Sequence, residues 1–202
     1  AIGGIYSERA GVTNLALEGL QGFGAFVGAL TATLLAGVFP EGSQMYFYVA
    51  AIASILGGMV YSMLHALLCI KFRANQVISG VVVNILAVAL TTFLTSQANM
   101  AIFGNASNKF QLGVCSRFTV PLLSDIPVVG ALFKNMYPFE LIIAVEALAM
   151  WYVLYKTPYG LRLRACGDNP HAVDAAGGSV AKTRFAAVMV SGALSGLGGI
   201  CF

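Results

Sequence analysis

Charge is what this 202-residue chain has least of: only 9% of its residues are Asp, Glu, Lys or Arg. Soluble domains carry roughly 25%. A water-soluble fold of this size must cover itself with polar side chains, and these are too few. The mean hydropathy of +0.84 points the same way. Lipid is the natural solvent for most of this surface. The four cysteines (Cys69, Cys115, Cys166, Cys201) form no CxxC pair, which argues against a zinc site or a disulfide framework and for buried, inert thiols. No GxxxxGK[ST] segment is present, so ATP hydrolysis belongs elsewhere. A basic stripe with interleaved aromatics is also missing, which excludes a nucleic acid polymer as partner. Ser, His and Asp fall far apart or on opposite sides of the expected membrane, so no hydrolytic triad is supported, and an intramembrane enzyme would lack both metal and nucleophile.

What the chain has is apolar length: 58% of it is hydrophobic. The pattern predicts an all-α, polytopic transmembrane helical bundle of about five spans. They are Val12–Val38, Met45–Ile70, Gln76–Gln97, Phe139–Tyr155 and a run from Arg184 to the end. A spanning helix needs roughly 20 apolar residues at about 1.5 Å each. All six prolines lie outside these spans, as expected where lipid cannot replace a lost backbone hydrogen bond. Glycines do the opposite. Gly22, Gly24, Gly28, Gly57, Gly58, Gly192, Gly196, Gly198 and Gly199 sit within spans, and small residues at such spacings let helix backbones approach closely in a bilayer. The chain opens at Ala1 without a basic n-region, so it is not a signal peptide. An apolar run reaches Phe202 without a polar flank, so an internal piece of a longer protein is expected, with 1–202 forming one membrane domain.

Eight of the 11 basic residues fall in segments 1–11, 71–75 and 156–184, on one face; Lys109, Arg117 and Lys134 fall on the other. The positive-inside rule puts the eight in the cytoplasm, making loop 98–138 external and loop 156–184 cytoplasmic. In the cytoplasmic loop, Thr157-Pro158-Tyr159-Gly160 reads as a turn. Asn169 then reads as an N-cap with Pro170 at the first helical position, and Gly177 as the left-handed residue that closes a short helix. A stiffly capped helix on that face suits a handle gripped by a motor.

Several blocks resemble the nucleoside and simple-sugar branch of bacterial ABC importer permeases, relatives of the branched-chain amino acid permeases. They are Ser7-Glu8-Arg9-Ala10-Gly11-Val12-Thr13-Asn14-Leu15-Ala16-Leu17-Glu18-Gly19, Ala74-Asn75-Gln76-Val77-Ile78-Ser79-Gly80, Pro121 to Gly130, Gly160-Leu161-Arg162-Leu163-Arg164-Ala165 with Gly167-Asp168-Asn169-Pro170, and Ser191 to Gly199. The resemblance implies a multi-pass subunit of the bacterial inner membrane, with further helices beyond both ends. It implies a second permease subunit, an extracytoplasmic substrate-binding lipoprotein, and a cytoplasmic ABC ATPase that uses ATP and Mg; this chain itself binds no cofactor or metal. The ATPase would grip Gly160, Arg162, Arg164, Gly167, Asp168, Asn169, Pro170, Ala175, Ala176 and Gly177. Asp168 stands where the family has Glu, and Gly178 where it has Ile; the second glycine is expected to loosen the end of the short helix.

Polar residues within the spans are the candidates for a substrate path. Asn14 and Glu18 are four apart, which would put them on one helical face. Asn75, Ser79 and Asn84 head the third span. Bracing between helices is the competing reading for Glu18 and Asn84. Glu146 and His65 also lie in apolar surroundings. Together with Glu18 they support the alternative of a secondary transporter or channel; without a basic partner in the spans, packing is preferred for both.

Overall fold

The computed structural model describes residues 2–39, 43–110 and 136–201. The Pro121–Gly130 block and residues 111–135 of the expected external loop lie outside these. Among the described residues eight α-helices follow in order: α1 Ile2–Arg9, α2 Leu17–Leu35, α3 Met45–Ala66, α4 Gln76–Phe103, α5 Pro138–Lys156, α6 Pro158–Asp168, α7 Pro170–Ala175 and α8 Val180–Ile200. A π-helical turn, Leu67–Lys71, continues α3. Among the described residues four helices are long and apolar enough to cross a membrane: Met45–Lys71, Gln76–Phe103, Pro138–Lys156 and Val180–Ile200. The 19-residue α2 stands where a fifth span is expected, with Glu18 and Gln21 diluting its first turns. The chain is an all-α polytopic bundle.

The N-terminal reading needs correction. Segment 1–11 is not a plain connecting stretch, and the span expected from Val12 begins only at Leu17. Residues 2–9 are helical and pack against α8. Gly11 then takes φ +80, a left-handed conformation that L side chains resist. The Asn14 side chain accepts from the Ala16 N–H at 3.1 Å, a local bond that competes with continued helix. Asn14 therefore lies in a break between two helices and shares no helical face with Glu18. Asn14 is buried; Glu18 is exposed.

Helices α2, α3 and α8 form the centre. Their seam is built from small residues. A methyl added at Gly58 would strike the Gly192 carbonyl oxygen, and one at Gly196 the Ser54 carbonyl oxygen. The Ser54 hydroxyl donates to the Gly196 carbonyl at 2.6 Å, crossing the same seam. Lipid tails are as apolar as leucine, so close backbone packing and such hydrogen bonds supply the association. By contrast α4 and α5 turn broad apolar faces outward, with Ile78, Ile85, Val88 and Leu148 all more than 60% exposed. Lipid or a further protein surface is what these faces fit.

Gly58→Val should therefore pry α3 from α8 and destabilise the bundle by about 1–3 kcal/mol, the usual cost of overpacking. Thermal unfolding in detergent measures it; a melting temperature equal to wild type would contradict the seam.

Candidate coupling surface and intramembrane polar groups

The segment 156–184 folds as two short helices and a turn. The expected turn at Thr157–Gly160 is instead the first turn of α6. The Thr157 hydroxyl accepts from the Gly160 N–H at 3.1 Å and Pro158 occupies the first helical position, which together start a helix rather than reverse the chain. Gly160 is buried against the Val153 and Leu154 carbonyls at the end of α5, where no side chain fits.

The second short helix forms as the sequence predicts. Asn169 caps α7 by accepting from the Ala172 N–H at 3.2 Å, with Pro170 at its start. At its end the Gly177 N–H donates to Asp174 and the Gly178 N–H to Val173, both at 2.9 Å, with Gly177 at φ +79. That paired pattern is a Schellman closure. Gly178 therefore fastens the helix end and does not loosen it, contrary to expectation. Ala175 and Ala176 are exposed on α7, and Arg162, Asp168 and His171 are exposed nearby. The Arg164 guanidinium lies 5.1 Å from the Tyr155 ring centre, and its Nε is buried without a hydrogen-bond partner among the described residues.

Arg184, near the start of α8, joins this surface to the bundle. Its Nε donates to the Ala10 carbonyl at 3.1 Å, and its Nη2 to the Cys166 carbonyl at 3.2 Å. One guanidinium thus holds the ends of α1 and α6 together, satisfying carbonyls that helix termini leave open. Gly167 makes the approach possible: a methyl there would collide with the Arg9 carbonyl oxygen. In the sequence Arg184 reads only as a charge at the end of the cytoplasmic loop. Its signal was faint, since pairing of Arg184 with Gly11 and Gly167 requires knowing that residues far apart in sequence meet.

The polar residues expected along a substrate path are engaged within the chain, Glu18 excepted. Asn14 Nδ2 donates to Ser191 Oγ at 3.0 Å. Asn84 accepts from the Gly19 N–H at 2.7 Å and donates to the Leu15 carbonyl at 2.9 Å, so it splints the break between α1 and α2. Asn75 caps α4 through the Val77 and Ile78 N–H groups. Ser79 and His65 Nδ1 lie 3.0 Å apart, both buried. Glu146 sits half-buried on α5. The structure gives Glu18, His65 and Glu146 separate surroundings: an exposed helix start, a serine pair, and a cavity between α1, α2, α5 and α8.

Comparison with known proteins decides the class. The family described as branched-chain amino acid transport system / permease component matches residues 1–202. The chain belongs to that permease family. This permease is 38% identical over 200 residues to the guanosine ABC transporter permease protein NupQ of Bacillus subtilis, covering 98% of this chain and 60% of the relative. It is 40% identical to the nucleoside ABC transporter permease protein NupC of Lactococcus lactis, over 100% of this chain and 62% of that one. It is 32% identical to the putative glucose ABC transporter permease protein TsgC13 of Haloferax volcanii, over 98% of this chain and 56% of the relative. The chain thus spans about 60% of the length of these relatives. No solved structure matches it. Family and apolar helices place this permease in the inner membrane as a multi-pass protein.

Arg184→Ala should free the ends of α1 and α6 and cost about 1–3 kcal/mol, the range for buried bonds from a charged donor. Arg184→Lys should recover less than half, because an ammonium lacks the planar fork. Hydrogen exchange at residues 163–168 reports it; unchanged protection in Arg184→Ala would contradict the clamp.

Proposed function

We propose that this permease is the translocation subunit of an ATP-binding cassette importer for nucleosides or related simple sugars. The observation that carries the reading is the capped α6–α7 pair at the basic end of the bundle, clamped to α1 and α8 through Arg184. Eight of 11 basic residues lie at that end, which makes it cytoplasmic by the positive-inside rule. A groove of about 400 Å³ between α6 and α7, lined by Leu161, Ala165, Ala172 and Ala176 with Arg162, suits an apolar side chain from a partner. The partner is a cytoplasmic ATPase, which hydrolyses ATP with Mg, and its contacts run over Gly160, Arg162, Arg164, Gly167 to Pro170, and Ala175 to Gly177. A second permease subunit completes the path, and an extracytoplasmic lipoprotein delivers the solute. The names of the relatives support the substrate class, since guanosine and glucose are both neutral polyols. The path residues proposed from the sequence, Asn14, Glu18, Asn75, Ser79 and Asn84, gather where α1 breaks and α4 begins. Their hydrogen bonds set the shape of that region and leave Glu18 exposed with no hydrogen bond among the described residues.

Arg164→Glu combined with Asn169→Ala should lower ATP-driven guanosine uptake by about tenfold or more, because about 1.4 kcal/mol lost in docking already amounts to tenfold. Membrane insertion should persist. Uptake at the wild-type rate in that double variant would remove the coupling role.

A further inference from the structure

We propose that the cavity between the π-helical turn, α7 and α8 seats the headgroup of an anionic phospholipid, with Arg73 and Arg184 on its phosphate. The inference does not depend on which solute the permease carries. The cavity measures about 530 Å³, and part of its wall is apolar, from Val12, Cys69 and Ile70. Gln76 and Val180 also line it, and each is the first residue of a membrane-length helix. The cavity therefore lies at the basic end of the bundle, at the depth where hydrocarbon gives way to headgroups. Basic pockets between membrane helices at that level suit anionic headgroups. Starting one residue after Gln76, the exposed side chains of Val77, Val81 and Ile85 recur every fourth residue. They form one apolar face of α4, along which an acyl chain can lie.

Hydrogen-bond donors dominate the polar side chains of the wall. Arg73 takes φ +53, alone among the described non-glycine residues in the left-handed region. It closes the π-helical turn, where the Ala74 N–H donates to the Leu68 carbonyl at 2.9 Å, and glycine is the usual residue at such a helix end. An arginine held there against backbone strain points to a use for its side chain. Its guanidinium has no hydrogen-bond or ion-pair partner among the described residues. Arg184 lines the same cavity, and its bonds to Ala10 and Cys166 leave others of the five guanidinium N–H groups to donate. Gln76 spends its Oε1 on the Thr13 N–H at 2.7 Å, so its amide N–H groups remain. His171 adds a ring nitrogen. Asp174 is the single acidic side chain on the wall and forms no ion pair among the described residues; the guanidiniums of Arg73 and Arg184 outweigh it. A phosphodiester supplies the charge and the acceptor oxygens that this set lacks. An acidic side chain of the ATPase would match the charge but leave the apolar face of α4 without an occupant.

The test is titration of the full-length permease in detergent, with and without its ATPase, read by native mass spectrometry. Dioleoylphosphatidylglycerol should bind wild type about tenfold more tightly than dioleoylphosphatidylcholine, the effect of one bond between charged groups. Arg73→Gly keeps the left-handed turn while deleting the guanidinium, and should cut that preference to about threefold or less. Arg73→Gln should show the same loss, which covers the case in which the glycine variant does not fold. Asp174→Asn removes the opposing carboxylate and should strengthen the preference, an effect that a merely structural role would not produce. No preference in wild type, as would follow if another part of the full-length protein fills the cavity, overturns the site. So does a preference unaltered in the Arg73 variants or weakened in Asp174→Asn. Release of the lipid by inorganic phosphate, but not by chloride of equal ionic strength, would make this a free-anion site. Phosphatidylglycerol binding only when the ATPase is absent would assign it to an acidic side chain of that partner; either result overturns the lipid.

Discussion

Backbone-to-backbone approach between α3 and α8 is the contact on which the rest of the bundle depends. Water drives soluble helices together by expelling apolar surface, but a bilayer offers no such gain. Association must come from dispersion at short range and from hydrogen bonds that lipid cannot supply. Gly58, Gly192 and Gly196 let the helix axes close until carbonyl oxygens meet α-carbons, and Ser54 adds a bond across the gap. Helix α2 joins the same seam where Gly24 meets Gly196. Once these three helices are fixed, α1 and α6 have a rigid surface against which to dock.

That rigidity gives Arg184 its meaning. A guanidinium on a mobile helix would hold nothing; on α8 it holds two carbonyls at a fixed spacing. Displacement of α6 must then move α1 and α8 with it, and the Asn84 splint carries the connection on to α4. Under the proposed coupling role, a force applied to the short helices would be delivered into the membrane through packed elements rather than lost in a loop. The capped ends of α7 serve the same purpose, since a frayed helix would bend before it pushed.

Much of this was legible in the sequence, and for physical reasons. Proline placement and apolar length located the four membrane-length helices because lipid allows little else. The Asn169-Pro170 start and Gly177 stop were readable because caps are local, made within three or four residues. What failed was long-range or competitive. Residues 12–16 looked like the start of a span because Val12, Leu15 and Ala16 are apolar, and the Asn14 bond and the left-handed Gly11 reveal a break there. Thr157-Pro158-Tyr159-Gly160 carries turn chemistry and helix-start chemistry at once, and the close packing of Gly160 on α5 selects the second. The doubled glycine at 177–178 looked loose because the Schellman bonds are backbone bonds, invisible in side-chain identity. Asn84 and Arg184 could be seen as polar residues, but the partners of Asn84 lie 65 or more residues away and those of Arg184 lie 18 and 174 residues away.

Sidedness is the claim on which the coupling surface stands. The most direct measurement places a single cysteine at His171, exposed on α7, in the full-length protein with its native cysteines replaced. A membrane-impermeant maleimide is then applied to inside-out and right-side-out vesicles. Labelling of inside-out vesicles alone is the expected result. Labelling from the outside would invert the topology and leave the α6–α7 pair with no motor to meet.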